Sequence, residues 1–97
     1  VPDLPRNACG EVPCLVDRDG IHPCYVGNLP EQCAAINRTN INVQLLTIQA
    51  AKSRRKEDIY MAAMMDPHTA AELSMDDIRA MCDEMLEAHG SWMPEYR

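Results

Sequence analysis

Asp17 and Asp19 stand on either side of Arg18, and His22 and Cys24 follow them closely. Two neighbouring carboxylates are the residue types of acid–base catalysis, and a histidine beside a cysteine is a pair that ligates metal. Each reading has a simpler rival. Asp19-Gly20 is a dipeptide that tolerates the positive φ of a tight reversal, and aspartates in turns usually bond their own backbone. Asp17 and Asp19 therefore read as turn chemistry. A metal site at His22 needs further close ligands, yet Cys9, Cys14, Cys24, Cys33 and Cys82 contain no Cys-x-x-Cys pair. Cys14 and Cys24 could face each other across a hairpin and oxidise. The plainer expectation is five reduced, mostly buried thiols in a cytoplasmic protein.

Further along, Asn37-Arg38-Thr39-Asn40-Ile41-Asn42 is a dense polar run inside a helical pattern. It suits bonding to neighbouring loops or across a subunit interface better than lining a cleft. Asn37-Arg38-Thr39 has the form of a glycosylation acceptor, which a mid-helix place in a cytoplasmic chain disfavours. Met61, Met64 and Met65 read as core or interface, since methionine fills irregular gaps. The chain has no Gly-x-Gly-x-x-Gly, no phosphate loop, no His-Glu-x-x-His and no Gly-x-Ser-x-Gly.

The elements that must hold these residues follow from the pattern. A hairpin is expected over about 11–26, with strands Glu11–Asp17 and Ile21–Val26 and the turn Arg18-Asp19-Gly20. Pro13 and Pro23 cannot donate to a ladder, so they mark edge positions. A two-stranded hairpin is marginal alone and needs a covering layer. That layer is expected from a long helix over about 30–53, opened by Pro30, with Ile36, Ile41, Val43, Leu45, Leu46 and Ile48 on a broad apolar face. Shorter helices are expected over about 56–65, 67–73 and 74–89. Asp66-Pro67 and Ser74 supply their N-terminal signals, and His89-Gly90 a stop. The basic cluster Lys52–Lys56 reads as a solvated helix end and turn. The fold class is α+β, mainly α.

At 97 residues the chain makes one modest domain. Aromatic residues are few and seven methionines take part of their role, which favours a segment packed on a partner surface. A net charge of -6 argues against duplex nucleic acid. No run is long and apolar enough to span a membrane, and no signal peptide is visible. The opening Val1-Pro2-Asp3-Leu4-Pro5 carries no initiator Met and reads as a processed terminus or a cut through a longer polypeptide.

Glu11-Val12, Leu15-Val16-Asp17, Gly20-Ile21, Gly27 and Leu29-Pro30, in that order, resemble the C-terminal part of family 4 glycoside hydrolases. Thr39-Asn40-Ile41-Asn42-Val43-Gln44, Met64-Met65-Asp66-Pro67-His68-Thr69-Ala70-Ala71 and Ala88-His89-Gly90-Ser91-Trp92 are similar to the bacterial α-galactosidases, or melibiases, of that family. The related α-glucuronidases and α-glucosidases share much of the segment. The resemblance covers nearly the whole chain. It implies the C-terminal part of the substrate and oligomerisation domain of a larger Rossmann-type enzyme.

It also implies a reaction unlike two-carboxylate glycoside hydrolysis. NAD⁺ oxidises the sugar C3 hydroxyl, a base takes the acidified C2 proton, and a divalent metal, typically Mn²⁺, stabilises the enediolate. The glycosidic oxygen leaves, water adds, and the ketone is reduced again. The family's nucleotide loop, its Cys and His metal ligands and its catalytic Tyr and Asp match nothing in these residues. Cys9, Cys14 and His22 do not correspond to the metal ligands, so no catalytic, cofactor-binding or metal residue is assigned.

Two readings result. One is the C-terminal portion of a cytoplasmic, homo-oligomeric α-galactosidase, inactive alone and packed against the remainder of its parent enzyme. The other is a free-standing helical interaction or oligomerisation module. A cysteine-based metal site is a third, weaker reading. If the segment folds alone, self-association is expected through the long helix and the Met-rich helices.

Overall fold

The computed structural model describes residues 1–97. In chain order it forms β1 (Cys14–Asp17), β2 (Gly20–Pro23), α1 (Glu31–Ser53), α2 (Lys56–Met64), α3 (Pro67–Glu72) and α4 (Met75–His89), then a 3-10 turn over Gly90–Trp92. The fold is α+β and mainly helical, as expected. The chain divides into two compact units, Val1–Arg38 and Thr39–Arg97, with α1 running from one into the other.

In the first unit β1 and β2 pair antiparallel, Cys14 with Pro23, Leu15 with His22, Val16 with Ile21 and Asp17 with Gly20. Arg18 and Asp19 make the reversal. Gly20 leaves it at φ +126°, where a side chain would be strained. The strands are shorter than expected because Pro13 has no N–H to return to β2. One bond survives beyond the strands, from Cys24 N to Pro13 O at 2.9 Å. The expected covering layer is absent within this unit. Every strand residue is exposed, and Val16 and Ile21 each show 70 % of their surface. Leu29 N donates to Asp3 Oδ2 at 3.0 Å and ties the segment before α1 to the start of the unit. Pro30 stands one residue before α1, its carbonyl accepting from Cys33 and Ala34.

The register also settles the cysteine pair. Cys14 lies opposite Pro23, and side chains alternate between the two faces of a strand, so Cys14 and Cys24 point to opposite faces. They do not meet across the hairpin. Cys9, Cys14, Cys24 and Cys33 are exposed and only Cys82 is buried, which corrects the expectation of mostly buried thiols.

The second unit holds the core. Ile78, Tyr60 and Cys82 are buried together, and Ile59, Ala63 and Met64 pack on them. This cluster joins α2 to α4. The 23 residues of α1 make a rod of roughly 34 Å at 1.5 Å per residue. Three short helices cannot cover it, so α1 buries only Ile41 and Ala50, leaving Ile36 and Ile48 largely exposed.

Helix ends follow local chemistry. α1 stops at Arg54, which takes φ 59° without being glycine. Its N–H bonds Ala50 O at 3.0 Å and its Nε donates to Ala51 O at 2.9 Å, satisfying two terminal carbonyls. The segment after the 3-10 turn returns to this joint. Arg97 N donates to Arg54 O and Lys56 N donates to Arg97 O, both at 2.9 Å, while the Arg54 guanidinium lies 5.8 Å from the Tyr96 ring centre. Ser74 Oγ caps α4 through Asp77 N, and Gly90 closes it at φ +50°.

Asp66 caps α3, accepting from Thr69 N and Thr69 Oγ1, both at 2.8 Å, with Pro67 at the first helical position. The Thr69 backbone N–H first, then its hydroxyl, hold the Asp66 carboxyl below the usual carboxylate range. The folded state thus gives up this proton more readily than the unfolded chain. The stability it contributes is complete above the ordinary carboxylate pKa and fades as pH falls through the lowered folded value. Asp66→Asn is expected to flatten that acid limb in urea midpoints measured against pH. An unchanged limb contradicts the assignment.

Candidate functional site

The hairpin brings two of the sequence candidates together. Asp17 Oδ1 accepts from Asp19 N at 2.8 Å and lies 3.0 Å from His22 Nε2. Its lone pairs are spent on the turn and on the histidine opposite, and Asp19 enters through its backbone. The two carboxylates do not form an acid–base pair. Asp17 and His22 are each about half exposed, a setting in which an ion pair adds little. Cys24 shares the face of His22, two residues on, but no three His, Cys, Asp or Glu side chains anywhere converge on one point. The residues present do not fit a bound metal ion.

The second unit carries two hollows. A cleft of about 650 Å³ with a mixed lining is bounded by Lys56, Tyr60, Asp83, Leu86, Glu87 and the Gly90–Tyr96 region. At its base the Tyr60 hydroxyl donates to Asp83 Oδ1. That hydrogen bond to a carboxylate, then burial, then the Asp83 charge push the Tyr60 pKa up, with the Arg79 cation opposing them. Arg79 stacks over the Tyr60 ring at 4.5 Å and forks onto both Glu57 oxygens at 3.0 and 3.1 Å. The phenol is thereby held as a neutral donor. It is a poor proton acceptor near neutral pH.

The other hollow, about 410 Å³, is apolar and lies between the end of α1, α2 and α4, with Ala50, Ile59, Ala63, Cys82, Met85 and Leu86 among its walls. Burial and the Asp83 charge raise the Cys82 pKa, so this thiol stays protonated and serves as packing. Of the methionines, Met64 packs on the core, whereas Met61 and Met65 are about half exposed. Of the polar run Asn37–Asn42, residues 37–40 are on the exposed surface of α1, Ile41 is buried and Asn42 is partly buried. The basic cluster straddles the α1–α2 joint, where Arg54 caps α1 and Lys56 opens α2.

Tyr60–Asp83 and Glu57–Arg79 were not legible beforehand, because each joins residues more than twenty apart in different helices. The available signal was helical phase. Glu57 and Tyr60 share a face of α2, and Arg79 and Asp83 share a face of α4.

The polar contacts Tyr60–Asp83 and Arg79–Glu57 lock α2 to α4. The chain belongs to the family 4 glycosyl hydrolases: residues 1–69 match the family 4 glycosyl hydrolase C-terminal domain. Over its 97 residues it is 60% identical to an alpha-galactosidase of Bacillus subtilis (strain 168), covering 22% of that protein. It is 34% identical over 99% of its length to an alpha-galactosidase of Rhizobium meliloti (strain 1021), covering 20% of it. An alpha-galacturonidase of Lachnoclostridium phytofermentans is 23% identical over 98% of the chain, again across 20% of the relative. The chain thus spans about a fifth of the length of the curated relatives it matches. No solved structure matches.

Proposed function

We propose that this sequence is the C-terminal portion of an α-galactosidase that works by NAD-dependent oxidation, elimination, water addition and re-reduction. The observation that carries the reading is the 60% identity to the alpha-galactosidase of Bacillus subtilis across the whole chain. In this proposal NAD and Mn²⁺ are held outside residues 1–97, since neither a nucleotide loop nor a converging ligand set exists here. The segment supplies packing to the rest of the enzyme and contacts between copies in a homo-oligomer. Its exposed apolar residues support that role: Val16 and Ile21 on the hairpin, Met75 on α4, and Trp92, which is 92 % exposed.

The net charge of -6 disfavours nucleic acid as a partner, and no helix is long and apolar enough to cross a membrane. We place the enzyme in the cytoplasm, where four exposed thiols persist in the reduced form. The test is turnover by the complete polypeptide. Nitrophenyl α-galactoside is expected to be hydrolysed only with NAD⁺ and a divalent metal present, and faster than the α-glucoside or α-galacturonide. Hydrolysis indifferent to NAD⁺ overturns the mechanism, and preference for another glycoside overturns the substrate assignment.

A further inference from the structure

Nothing in the local sequence forces α1 to end where it does. From Ala50 to Asp58 the chain reads Ala-Ala-Lys-Ser-Arg-Arg-Lys-Glu-Asp, with no glycine or proline and mostly strong helix formers. Yet Arg54 takes φ 59°, and α2 starts afresh at Lys56. Only glycine enters that region freely, so the break is imposed by distant groups.

A continuous helix bonds each N–H to the carbonyl four residues back. Across this joint Arg54 O would accept from Asp58 N, and Lys56 N would donate to Lys52 O. Arg97 takes a partner from each rung. Its N–H donates to Arg54 O and its carbonyl accepts from Lys56 N, both at 2.9 Å. Asp58 N turns instead to Arg55 O at 3.1 Å. The rung between Ala51 and Arg55 is replaced as well, since Arg55 N donates to Ser53 Oγ and Arg54 Nε fills Ala51 O. Tyr96 steadies the crossing segment with its ring beside the Arg54 guanidinium.

We propose that Tyr96-Arg97 is a strap that keeps α1 and α2 apart, and that its release lets them run as one helix from Glu31 to Met64. Packing does little to resist the change. The apolar hollow of about 410 Å³ lies where the end of α1 meets α2 and α4, and α1 buries only Ile41 and Ala50. The core of Tyr60, Ile78 and Cys82 joins α2 to α4 and travels with α2 intact. The bonds given up are those from Ser53 Oγ and Gln49 Nε2 to Asp58. Charge does not choose between the states, because four residues apart Arg54 attracts Asp58 while Lys52 repels Lys56. Met93 and Tyr96 form part of the walls of both hollows, so release of the strap opens both. The strap thus sets the direction in which the α2–α4 pair leaves α1.

Nuclear magnetic resonance of the 97-residue chain tests the strap. The double variant Tyr96→Ala/Arg97→Pro removes the ring and the N–H that hold Arg54. Its Ser53–Arg55 Cα shifts are expected to become helical, with the continuous-helix population at least tenfold above wild type. Adding Arg54→Gly to that variant is expected to restore the break, because glycine takes positive φ freely and weakens a helix interior. In the wild-type chain the Lys56 and Arg97 amides are expected to exchange through one common opening, a readout independent of whether any variant folds. Wild-type shifts in the double variant, or coil shifts at Ser53–Arg55, overturn the proposal. So does a continuous helix that persists with Arg54→Gly, or wild-type amides at Lys56 and Arg97 that open independently.

Discussion

Ile78→Ala is expected to remove about 3 kcal/mol from the stability of the Thr39–Arg97 unit. Ile78 is the most buried side chain, 2 % exposed, and sits where α4 meets α2 beside Tyr60 and Cys82. Truncation forfeits the transfer free energy of three carbons and leaves a hole lined by a tyrosine ring and a thiol. The helices that could close in are pinned by Arg79–Glu57 and Tyr60–Asp83, so collapse is limited. In so small a unit 1 kcal/mol moves the melting midpoint by about 4–8 °C, which makes the shift about 12–24 °C. Thermal unfolding followed by circular dichroism measures it. Met75→Ala, at a position 71 % exposed on the same helix, is the control and is expected to change stability by no more than about 0.5 kcal/mol. Equal losses from the two substitutions contradict this packing.

Tyr60→Ala carries the second large effect, about 4 kcal/mol, and Tyr60→Phe divides it. The ring fills the α2–α4 contact and lies under Arg79, so it accounts for most of the loss. Removing the hydroxyl alone is expected to cost about 1 kcal/mol, because Asp83 is exposed and takes water in its place. The hydroxyl also has a signature that a merely space-filling ring lacks. Its folded pKa is raised, first by the bond to Asp83, then by burial and the Asp83 charge. The stability from this proton is therefore complete below the ordinary tyrosine pKa and is lost as pH rises through the higher folded value. Ultraviolet titration of the folded chain is expected to show a tyrosine step above the ordinary tyrosine pKa, and Tyr60→Phe to remove that late step. A late step that survives in Tyr60→Phe contradicts the assignment.

What the sequence showed and what it hid separate along one physical line. Signals confined to a few neighbouring residues were readable: Asp19-Gly20 at the reversal, Asp66-Pro67 before α3, Ser74 and Gly90 at the ends of α4. Each rests on a local preference of backbone or cap that folding does not override. Contacts between distant segments were not readable. Arg54 ends α1 in a conformation normally left to glycine, and the partners that hold it there include Arg97, far along the chain. The hairpin was expected beneath a helical layer, yet within its own unit the strand residues are exposed, since apolar content indicates that a face wants cover and not what covers it. The same error put most cysteines inside.

The candidate site was legible mainly by exclusion. Spacing suggested that Asp17 and Asp19 serve the turn, and the bonds from Asp19 N and His22 to Asp17 Oδ1 give the mechanism. The locks at Tyr60 and Arg79 required two helices to be placed side by side.

The proposal that this segment belongs to an α-galactosidase without performing its chemistry is tested most directly by assaying the 97-residue chain itself. Purified and folded, it is given nitrophenyl α-galactoside with NAD⁺ and Mn²⁺, and NAD⁺ binding is followed by calorimetry on the same sample. No turnover above the buffer rate and no heat of NAD⁺ binding are expected. Measurable galactoside hydrolysis by the chain alone contradicts the account.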